Sequence, residues 1–180
     1  MADAGGRTLY TVGHSTRTLT QFADLLTGPG IELVVDVRAF PRSRTNPQFN
    51  IDVLPGSLAP HGVDYRHVAE LGGRRHRPRD APPSPNLFWR NDSFRNYADY
   101  AMSDEFARAM QQLRGLAQAR TCAIMCSEAL WWRCHRRIIA DYALAAGIPV
   151  QHILGPEAIE PARLTPGVQA EANGTLVYPA

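Results

Sequence analysis

Leu33-Val34-Val35-Asp36-Val37 is the stretch that decides the fold class of this chain. Four of its five residues are apolar and three are β-branched, which is typical of a strand buried on both faces of a parallel sheet. Thr121-Cys122-Ala123-Ile124-Met125 has the same character and ends at Cys126. Three more strands are predicted by shorter β-rich runs at residues 9–12, 65–68 and 150–154.

Helical patterns lie between these strands. Thr18 and Gln21 have the spacing of a capping box at the start of one helix, and Ser103 is placed to cap a longer one. Residues 130–146 carry a further apolar stripe that ends at Gly147. Strands that alternate with helices indicate a three-layer, Rossmann-like α/β domain with a mainly parallel sheet of about five strands.

The length of the chain is that of a single domain. With 180 residues, of which 44% are apolar, it can bury one core and has little room for a second. We expect a flexible N-terminus at residues 1–7, one α/β domain at residues 8–168 and a loose C-terminal tail at residues 169–180. Residues 74–92 are rich in proline and arginine without periodicity, so we predict one long loop there.

Cysteine usage indicates a reducing compartment, and hydropathy indicates that no segment spans a membrane. The three cysteines cannot all pair within the chain, so we do not expect a disulfide scaffold. No apolar run reaches the ~20 residues that span a bilayer. Residues 1–7 have neither the basic start nor the apolar core of a signal peptide. We therefore expect a cytoplasmic protein with no membrane partner.

The positive charge of the chain is carried entirely by arginine. All 19 basic residues are arginine, although the net charge is only +2. The planar guanidinium suits phosphate and carboxylate groups. Residues 74–95 combine several arginines with Phe88 and Trp89. This segment is either a solvated loop or a surface that binds single-stranded nucleic acid.

Polar residues follow the predicted strands at their carboxyl ends, where open α/β sheets bind ligands. We expect a substrate site built from His14, Ser15, Asp36, Arg38, Glu70 and Cys126, with Arg42 in the loop after the second strand. The set follows from topology, because the carboxyl ends of parallel strands meet at one edge of the sheet.

The segment from Cys126 to Arg137 carries the most chemistry. Cys126 is predicted where a buried strand meets a helix N-terminus, which favours the thiolate. The alternative is a small buried core residue. Glu128 is a candidate acid or base, or only a favourable charge in the first turn of the helix. Trp131 either stacks on a base or sugar ring or anchors the core, and Arg133 and Arg136 are candidates to bind an anion.

Cys134 and His135 are expected to face the sheet and return toward Cys126. His135 is a candidate acid, base or orienting partner for Cys126 or Glu128. Alternatively, Cys134 and His135 only pack under the loop. Cys126, Cys134 and His135 also form a candidate zinc set. Adjacent ligands on one helix fit a tetrahedral site poorly, however, and no fourth ligand is evident. No cofactor is therefore predicted.

Several of these motifs resemble the bacterial family called domain of unknown function 488. The resemblance covers roughly residues 8–168 and implies Rossmann-like layering, and the family's name implies no established activity. Its motifs here are His14-Ser15, Val35-Asp36-Val37-Arg38, Pro41-Arg42-Ser43, Asn46-Pro47-Gln48-Phe49, Glu70-Leu71-Gly72-Gly73, Cys126 through Arg136, His152-Ile153-Leu154-Gly155 and Arg163-Leu164-Thr165.

A weaker similarity links the chain to rhodanese domains. Asp36 and Arg38 resemble their early Asp-x-Arg pair, and Cys126 would match their persulfide-carrying cysteine. The loop after Cys126 is longer and lacks glycine, although a tight cradle of backbone N–H groups usually needs it.

Three functional hypotheses follow. The first is an enzyme that acts on a small anionic, phosphate- or nucleotide-containing substrate at the strand ends. The second is thiol chemistry of the rhodanese or cysteine-phosphatase kind, which requires an exposed Cys126 ringed by N–H groups. The third is a nucleic-acid-binding accessory protein that uses residues 74–95. In the first, Arg38, Arg42 and Arg136 hold the anion, and Cys126, Glu128 or His135 perform the chemistry.

Overall fold

A six-stranded sheet forms the centre of the protein, in a computed structural model that describes residues 6–180. Its strands are β1 (Leu9–Gly13), β2 (Leu33–Asp36), β3 (Asp64–His67), β4 (Cys122–Cys126), β5 (Val150–Gly155) and β6 (Ala158–Pro161). Their order is β3-β2-β4-β1-β5-β6. The first five strands run parallel, and β6 pairs antiparallel with β5 at the edge. The predicted mainly parallel sheet is confirmed, and the antiparallel sixth strand adds to it.

Within residues 6–180, five helices cover the two faces of the sheet. They are α1 (Leu19–Thr27), α2 (Leu54–Leu58), α3 (Asp92–Tyr100), α4 (Asp104–Ala119) and α5 (Arg136–Ala145). Side chains of α1 and α2 pack on one face and those of α3, α4 and α5 on the other, so two separate apolar clusters enclose the sheet. The predicted caps are present, because Thr18 and Gln21 form a reciprocal capping box and Ser103 caps α4. None of the helices within residues 6–180 is long and apolar enough to cross a membrane.

The last helix begins later than predicted. The pattern predicts a helix over residues 130–146, but Trp131–Arg133 form a 3₁₀ turn and α5 begins only at Arg136. Cys134 lies between them with an extended backbone, φ −132° and ψ 148°. Its sulfur accepts the backbone N–H of Arg136 at 3.4 Å and so satisfies an amide at the start of α5. The strand end at Cys126 is therefore followed by a loop, and not directly by a helix N-terminus.

The C-terminal segment is packed and not loose as predicted for residues 169–180. It forms a small hairpin of β7 (Gln169–Ala170) and β8 (Leu176–Val177). The Tyr178 side chain is 1% exposed, and its hydroxyl donates to the Asp141 carboxylate of α5 at 2.9 Å. Apolar and hydrogen-bonding side chains thus find partners on the domain. At the other end, Arg7 lies 3.5 Å from Glu32, and residues 1–5 of the predicted flexible N-terminus are outside the described residues.

Asn86 joins this C-terminal segment to the long loop before α3. The Asn86 side chain accepts the backbone N–H of Tyr178 at 2.9 Å and donates to Asp99 of α3 at 2.7 Å. As predicted, the structure has neither helix nor strand from residue 74 to the start of α3 at Asp92. The loop is therefore anchored at its C-terminal end, where it holds α3 against the domain.

Candidate active site

A cavity of about 1060 Å³ opens at the carboxyl ends of β1, β2 and β4. The loop after β2, residues 73–76, α3 and the loop after β4 form its walls. Seven of the predicted site residues line it: His14, Arg38, Arg42, Cys126, Glu128, Arg133 and His135. The topological argument therefore located the region in which these side chains meet.

The other five predicted residues do not line this cavity. Ser15 is half-buried, and its backbone N–H donates to the Ser127 carbonyl at 3.0 Å, which fixes the loop after β4. Glu70 is exposed elsewhere. The remaining three lie behind the lining residues or on the far side of the loop: Asp36, Trp131 and Arg136.

Trp131 stacks on a histidine of the sheet and not on an open platform. Its ring lies 4.4 Å from that of His152 at an interplanar angle of 5°, and its Nε1–H donates to Glu160 at 2.8 Å. His152 in turn accepts the Thr11 hydroxyl hydrogen at 2.7 Å. Burial lowers the pKa of His152 to about 4, so its ring is neutral and can accept this bond. Trp131 therefore covers the side of the site that faces β5.

Two sulfur atoms form the floor of the cavity. Cys126 ends β4 and Cys134 precedes α5, and their Sγ atoms are 2.8 Å apart. All three cysteines are free thiols, and these two are 3% and 5% exposed. Within the described residues, one backbone N–H reaches the Cys126 sulfur, that of Glu128 at 3.3 Å. The exposed, N–H-ringed Cys126 that rhodanese-like or phosphatase-like chemistry requires is not what the structure places here.

Arg136 lies beneath the two sulfurs and is 1% exposed. Its Nε donates to Cys134 Sγ at 3.4 Å, its Nη1 to Thr11 Oγ1 at 3.2 Å, and its Nη2 to the Glu128 carbonyl. Among residues 6–180 no carboxylate lies within 4.0 Å of this guanidinium. A buried charge without a counter-ion costs several kcal/mol. The available counter-ion is the thiolate of Cys134.

The pKa values of the two thiols diverge accordingly. Burial would raise the pKa of Cys134, but the hydrogen bond from Cys126 and the charge and donors of Arg136 outweigh it and lower the pKa to about 6. Burial, reinforced by the hydrogen bond to Cys134, raises the pKa of Cys126 well above its ordinary value. At neutral pH the negative charge therefore resides on Cys134, and Cys126 donates its S–H to it. The sequence prediction had assigned the thiolate to Cys126, because it placed the helix start there.

His135 presents a lone pair to the same sulfurs. Its Nε2 lies 2.7 Å from the Val37 carbonyl, which can only accept, so Nε2 carries the proton. Burial lowers the pKa of His135, which keeps the ring neutral. Nδ1 is then an acceptor, 3.5 Å from Cys134 Sγ. Gly73 packs against this nitrogen so closely that a Cβ there would lie 2.5 Å from it. His135 can therefore accept a proton from Cys134 only when that thiol is protonated.

Cys126, Cys134 and His135 have ligand atoms that all lie within 4.8 Å of one another. The objection raised from the sequence, that Cys134 and His135 are neighbours on one helix, does not apply, because both precede α5. Two thiolates on one tetrahedral zinc stand about 3.8 Å apart, since each Zn–S bond is about 2.3 Å. The separation of 2.8 Å between the sulfurs is about 1 Å shorter than that, and both the backbone N–H and the Nε–H of Arg136 donate to Cys134. We therefore interpret the pair as a thiol–thiolate pair.

Arg38 is held by its own carboxylate partner. It makes two bonds to Asp36, from Nε at 2.9 Å and from Nη2 at 2.7 Å, and the Tyr65 hydroxyl also donates to Asp36. Burial lowers the pKa of His14 to about 4, so His14 Nε2 is free to accept from Arg38 Nη1, 3.3 Å away. The His14 Nδ1–H donates to the Ser15 carbonyl at 2.8 Å. Arg38, whose charge is compensated by Asp36, and the neutral His14 thus form one fixed wall of the cavity.

The uncompensated positive charge of the cavity comes from other arginines. Arg74 and Arg133 line it, and within residues 6–180 neither has a carboxylate within 4.0 Å. Arg42 lies 3.3 Å from Asp52, but both side chains are mostly exposed, and such pairs contribute little. The arginines that face the cavity can therefore bind an anion within it.

Residues 74–95 divide between the core and the cavity wall, and binding of nucleic acid by this segment stays a prediction. Trp89 is buried, stacks on Phe94 at 5.0 Å and contacts Tyr178 at 5.1 Å. Arg74 and Arg75 turn toward the cavity. Arg74 and Arg75 thus make the start of the segment part of the cavity wall, while Trp89 joins its other end to the core.

Sequence reasoning missed some residues of the site. Thr11 lies in the middle of β1, where only the register of the sheet reveals that it receives Arg136. The sequence identifies Arg74 as a charged residue, but whether it lines the cavity depends on the path of an irregular loop. Gly73 was a usable signal, because a glycine beside a predicted site marks a close approach.

A comparison with known families gives one match. The family model described as Domain of unknown function DUF488 matches residues 18–143. No curated protein matches the chain, and no solved structure matches it. The matched span contains both sulfurs, His135 and Arg136, and the similarity to rhodanese domains stays a prediction.

Proposed function

Since the chain belongs to the DUF488 family, whose name assigns no reaction, we propose from the site itself that it is an enzyme that acts on an anionic substrate through the thiolate of Cys134. The observation that carries this proposal is the contact between the buried Arg136 guanidinium and Cys134 Sγ, at 3.4 Å. A cysteine with a lowered pKa and a neighbouring arginine has the properties of a nucleophile. The proposal implies a reducing compartment, as expected of the cytoplasm.

The arginines that line the cavity select the substrate. Arg74 and Arg133 hold its anionic group, because their guanidinium groups line the cavity without carboxylate partners among residues 6–180. Cys134 then attacks the electrophilic atom, and Cys126 supplies a proton to the leaving group. His14 and Arg38 shape the wall without titrating near neutral pH.

Phe40 favours a nucleotide over a simple oxyanion. Its side chain is 68% exposed at the cavity, and the Arg74 guanidinium lies 5.6 Å from its ring. An exposed aromatic ring next to a cation can stack on a base while the cation binds the phosphate. A Phe40→Ala variant should therefore weaken binding of a nucleoside monophosphate more than binding of inorganic phosphate.

The proposal is tested by the pH dependence of alkylation of Cys134 by iodoacetamide, followed by peptide mass spectrometry. The Cys122→Ser background removes the thiol outside the cavity. We expect half-maximal reactivity near pH 6, about three pH units below the ordinary value of 9.0. An ordinary pH profile at Cys134 would refute the proposal.

Anion binding is tested by protection of Cys134 from alkylation, with inorganic phosphate and adenosine monophosphate as probes. Protection should be lost in Arg74→Gln and Arg133→Gln. The matched control is Arg79→Gln, which removes an exposed arginine of the same loop that does not line the cavity. Equal protection in all three variants would contradict the assignment of the anion site.

A further inference from the structure

We propose that Cys134 is oxidised by a hydroperoxide, that Cys126 converts the product into a disulfide, and that Arg136 makes this disulfide easy to reduce. The inference rests on the proposed function only for the thiolate at Cys134. It needs neither the anion site nor the enzyme's substrate.

The geometry places the two sulfurs where a disulfide can form. They are 2.8 Å apart, while the S–S bond is about 2.05 Å long, so the approach needed is under about 1 Å. Both line the same cavity and can be reached by a small oxidant. The third cysteine, Cys122, begins β4 at the opposite end of the strand and lies beside the Arg120 carbonyl. It therefore serves as an internal control.

The first step consumes the hydroperoxide. The Cys134 thiolate attacks the terminal oxygen of ROOH, a new S–O bond forms, and the O–O bond breaks. The alkoxide RO⁻ that leaves takes the proton of Cys126 and departs as ROH. Cys134 is now a sulfenic acid, and Cys126 has become a thiolate.

The second step closes the disulfide. The Cys126 thiolate attacks Cys134 Sγ, the S–O bond breaks, and hydroxide leaves and takes a proton from solvent to form water. Two electrons have moved from the sulfur pair to the peroxide. Two equivalents of a low-molecular-weight thiol return them by thiol–disulfide exchange and restore the thiol–thiolate pair.

Arg136 connects this chemistry to the stability of the two redox forms. The reduced site holds a thiolate opposite the buried guanidinium, and oxidation removes that negative charge. Thr11 and the Glu128 carbonyl then remain as neutral partners of a buried cation. An uncompensated buried charge raises the free energy of the oxidised form. A disulfide whose reduced form is stabilised in this way is a strong oxidant and is readily reduced. Arg136 thus sets the redox equilibrium of the sulfur pair through its charge.

The test begins in the Cys122→Ser background, for a practical reason. Trypsin cleaves after Arg133 and Arg136, so Cys126 and Cys134 fall in separate peptides, and the peptide of Cys126 otherwise also contains Cys122. A disulfide between residues 126 and 134 then appears as two joined peptides that separate on reduction. We expect this product after treatment with equimolar hydrogen peroxide. Its absence, with Cys134 still alkylated at low pH, would overturn the inference and leave the proposed function intact.

Two variants assign the order of events. In Cys126→Ser, Cys134 should accumulate as a sulfenic acid that dimedone traps. In Cys134→Ser, Cys126 should be oxidised at least ten times more slowly than Cys134 is in the parent. Trapping at residue 126 at the parental rate would overturn the roles assigned to the two sulfurs.

The role of Arg136 is measured in glutathione redox buffers. Arg136→Met should shift the equilibrium toward the disulfide at least tenfold, which corresponds to about 30 mV for a two-electron couple. Arg136→Lys keeps the positive charge and should stay within threefold of the parent. Urea unfolding of each variant verifies that the compared proteins are folded. If Arg136→Met does not fold, a shift of tenfold or more in Arg136→Lys would refute the charge argument. An unchanged ratio in a folded Arg136→Met would also refute it.

Discussion

Cys134→Ala is the substitution that most directly tests the ion pair beneath the cavity. It removes the only charged partner of Arg136 among the described residues and leaves the guanidinium buried at 1% exposure. The pKa of Cys134 falls from its ordinary 9.0 to about 6. At about 1.4 kcal/mol for each pH unit, that difference is worth at most about 4 kcal/mol. Loss of one partner of a buried ion pair typically costs about 3–5 kcal/mol. We therefore expect a loss of about 3–4 kcal/mol in the free energy of unfolding.

A double-mutant cycle separates this effect from loss of packing. Urea unfolding at pH 8 is measured for the parent, Cys134→Ala, Arg136→Met and the double variant. Because the double variant removes both charges, it should be more stable than the sum of the single losses predicts, by at least about 2 kcal/mol. Single losses that add within about 0.5 kcal/mol would refute the ion pair and, with it, the thiolate assignment.

Other perturbations probe the same framework by urea or thermal unfolding. Because folding lowers the pKa of Cys134, its thiolate stabilises the folded state fully above about pH 9, and this stabilisation disappears as the pH falls to about 6. Between about pH 9 and about pH 6 the free energy of unfolding of the parent should fall by up to about 4 kcal/mol. That of Cys134→Ser should not show this fall. Gly13→Ala should destabilise the fold by about 1–3 kcal/mol or more, because its Cβ would collide with the backbone of Glu128. An unchanged midpoint would mean that the loop after β4 can move away. Tyr178→Phe removes a hydrogen bond to the Asp141 carboxylate and should cost about 1–3 kcal/mol, whereas no cost would indicate that the C-terminal segment is not part of the cooperative unit.

The parts of the fold that could be predicted are those with short-range signals. The apolar run at residues 33–37 and the capping box at Thr18 depend only on neighbouring residues, and both lie where expected. The start of α5 was predicted too early, because Cys134, which contacts Cys126 across a loop, has an extended backbone. Apolar periodicity carries no information on such a contact.

The chemistry of the site also has a part that short-range signals indicate and a part that depends on long-range contacts. The carboxyl ends of the strands indicate where these side chains meet, and Cys126 lines the cavity there. Which sulfur carries the charge depends on Arg136, whose side chain turns inward beneath Cys134. From the sequence alone, Arg136 is only a cation near a loop and a candidate for the substrate. The structure instead makes it the counter-ion of a thiolate.

The link between Asn86 and Tyr178 has a consequence for synthesis of the chain. The cavity wall formed by α3 is fastened through Asn86 to a residue 92 positions further along the chain. At about 5–20 residues per second, a ribosome needs roughly 5–20 s to add that segment. During this interval the two cysteines and the buried arginine have already emerged or are emerging, while one wall of their pocket still lacks its fastening. The site is therefore completed late, and the nascent chain exposes its thiols to the surrounding solution before the finished protein encloses them.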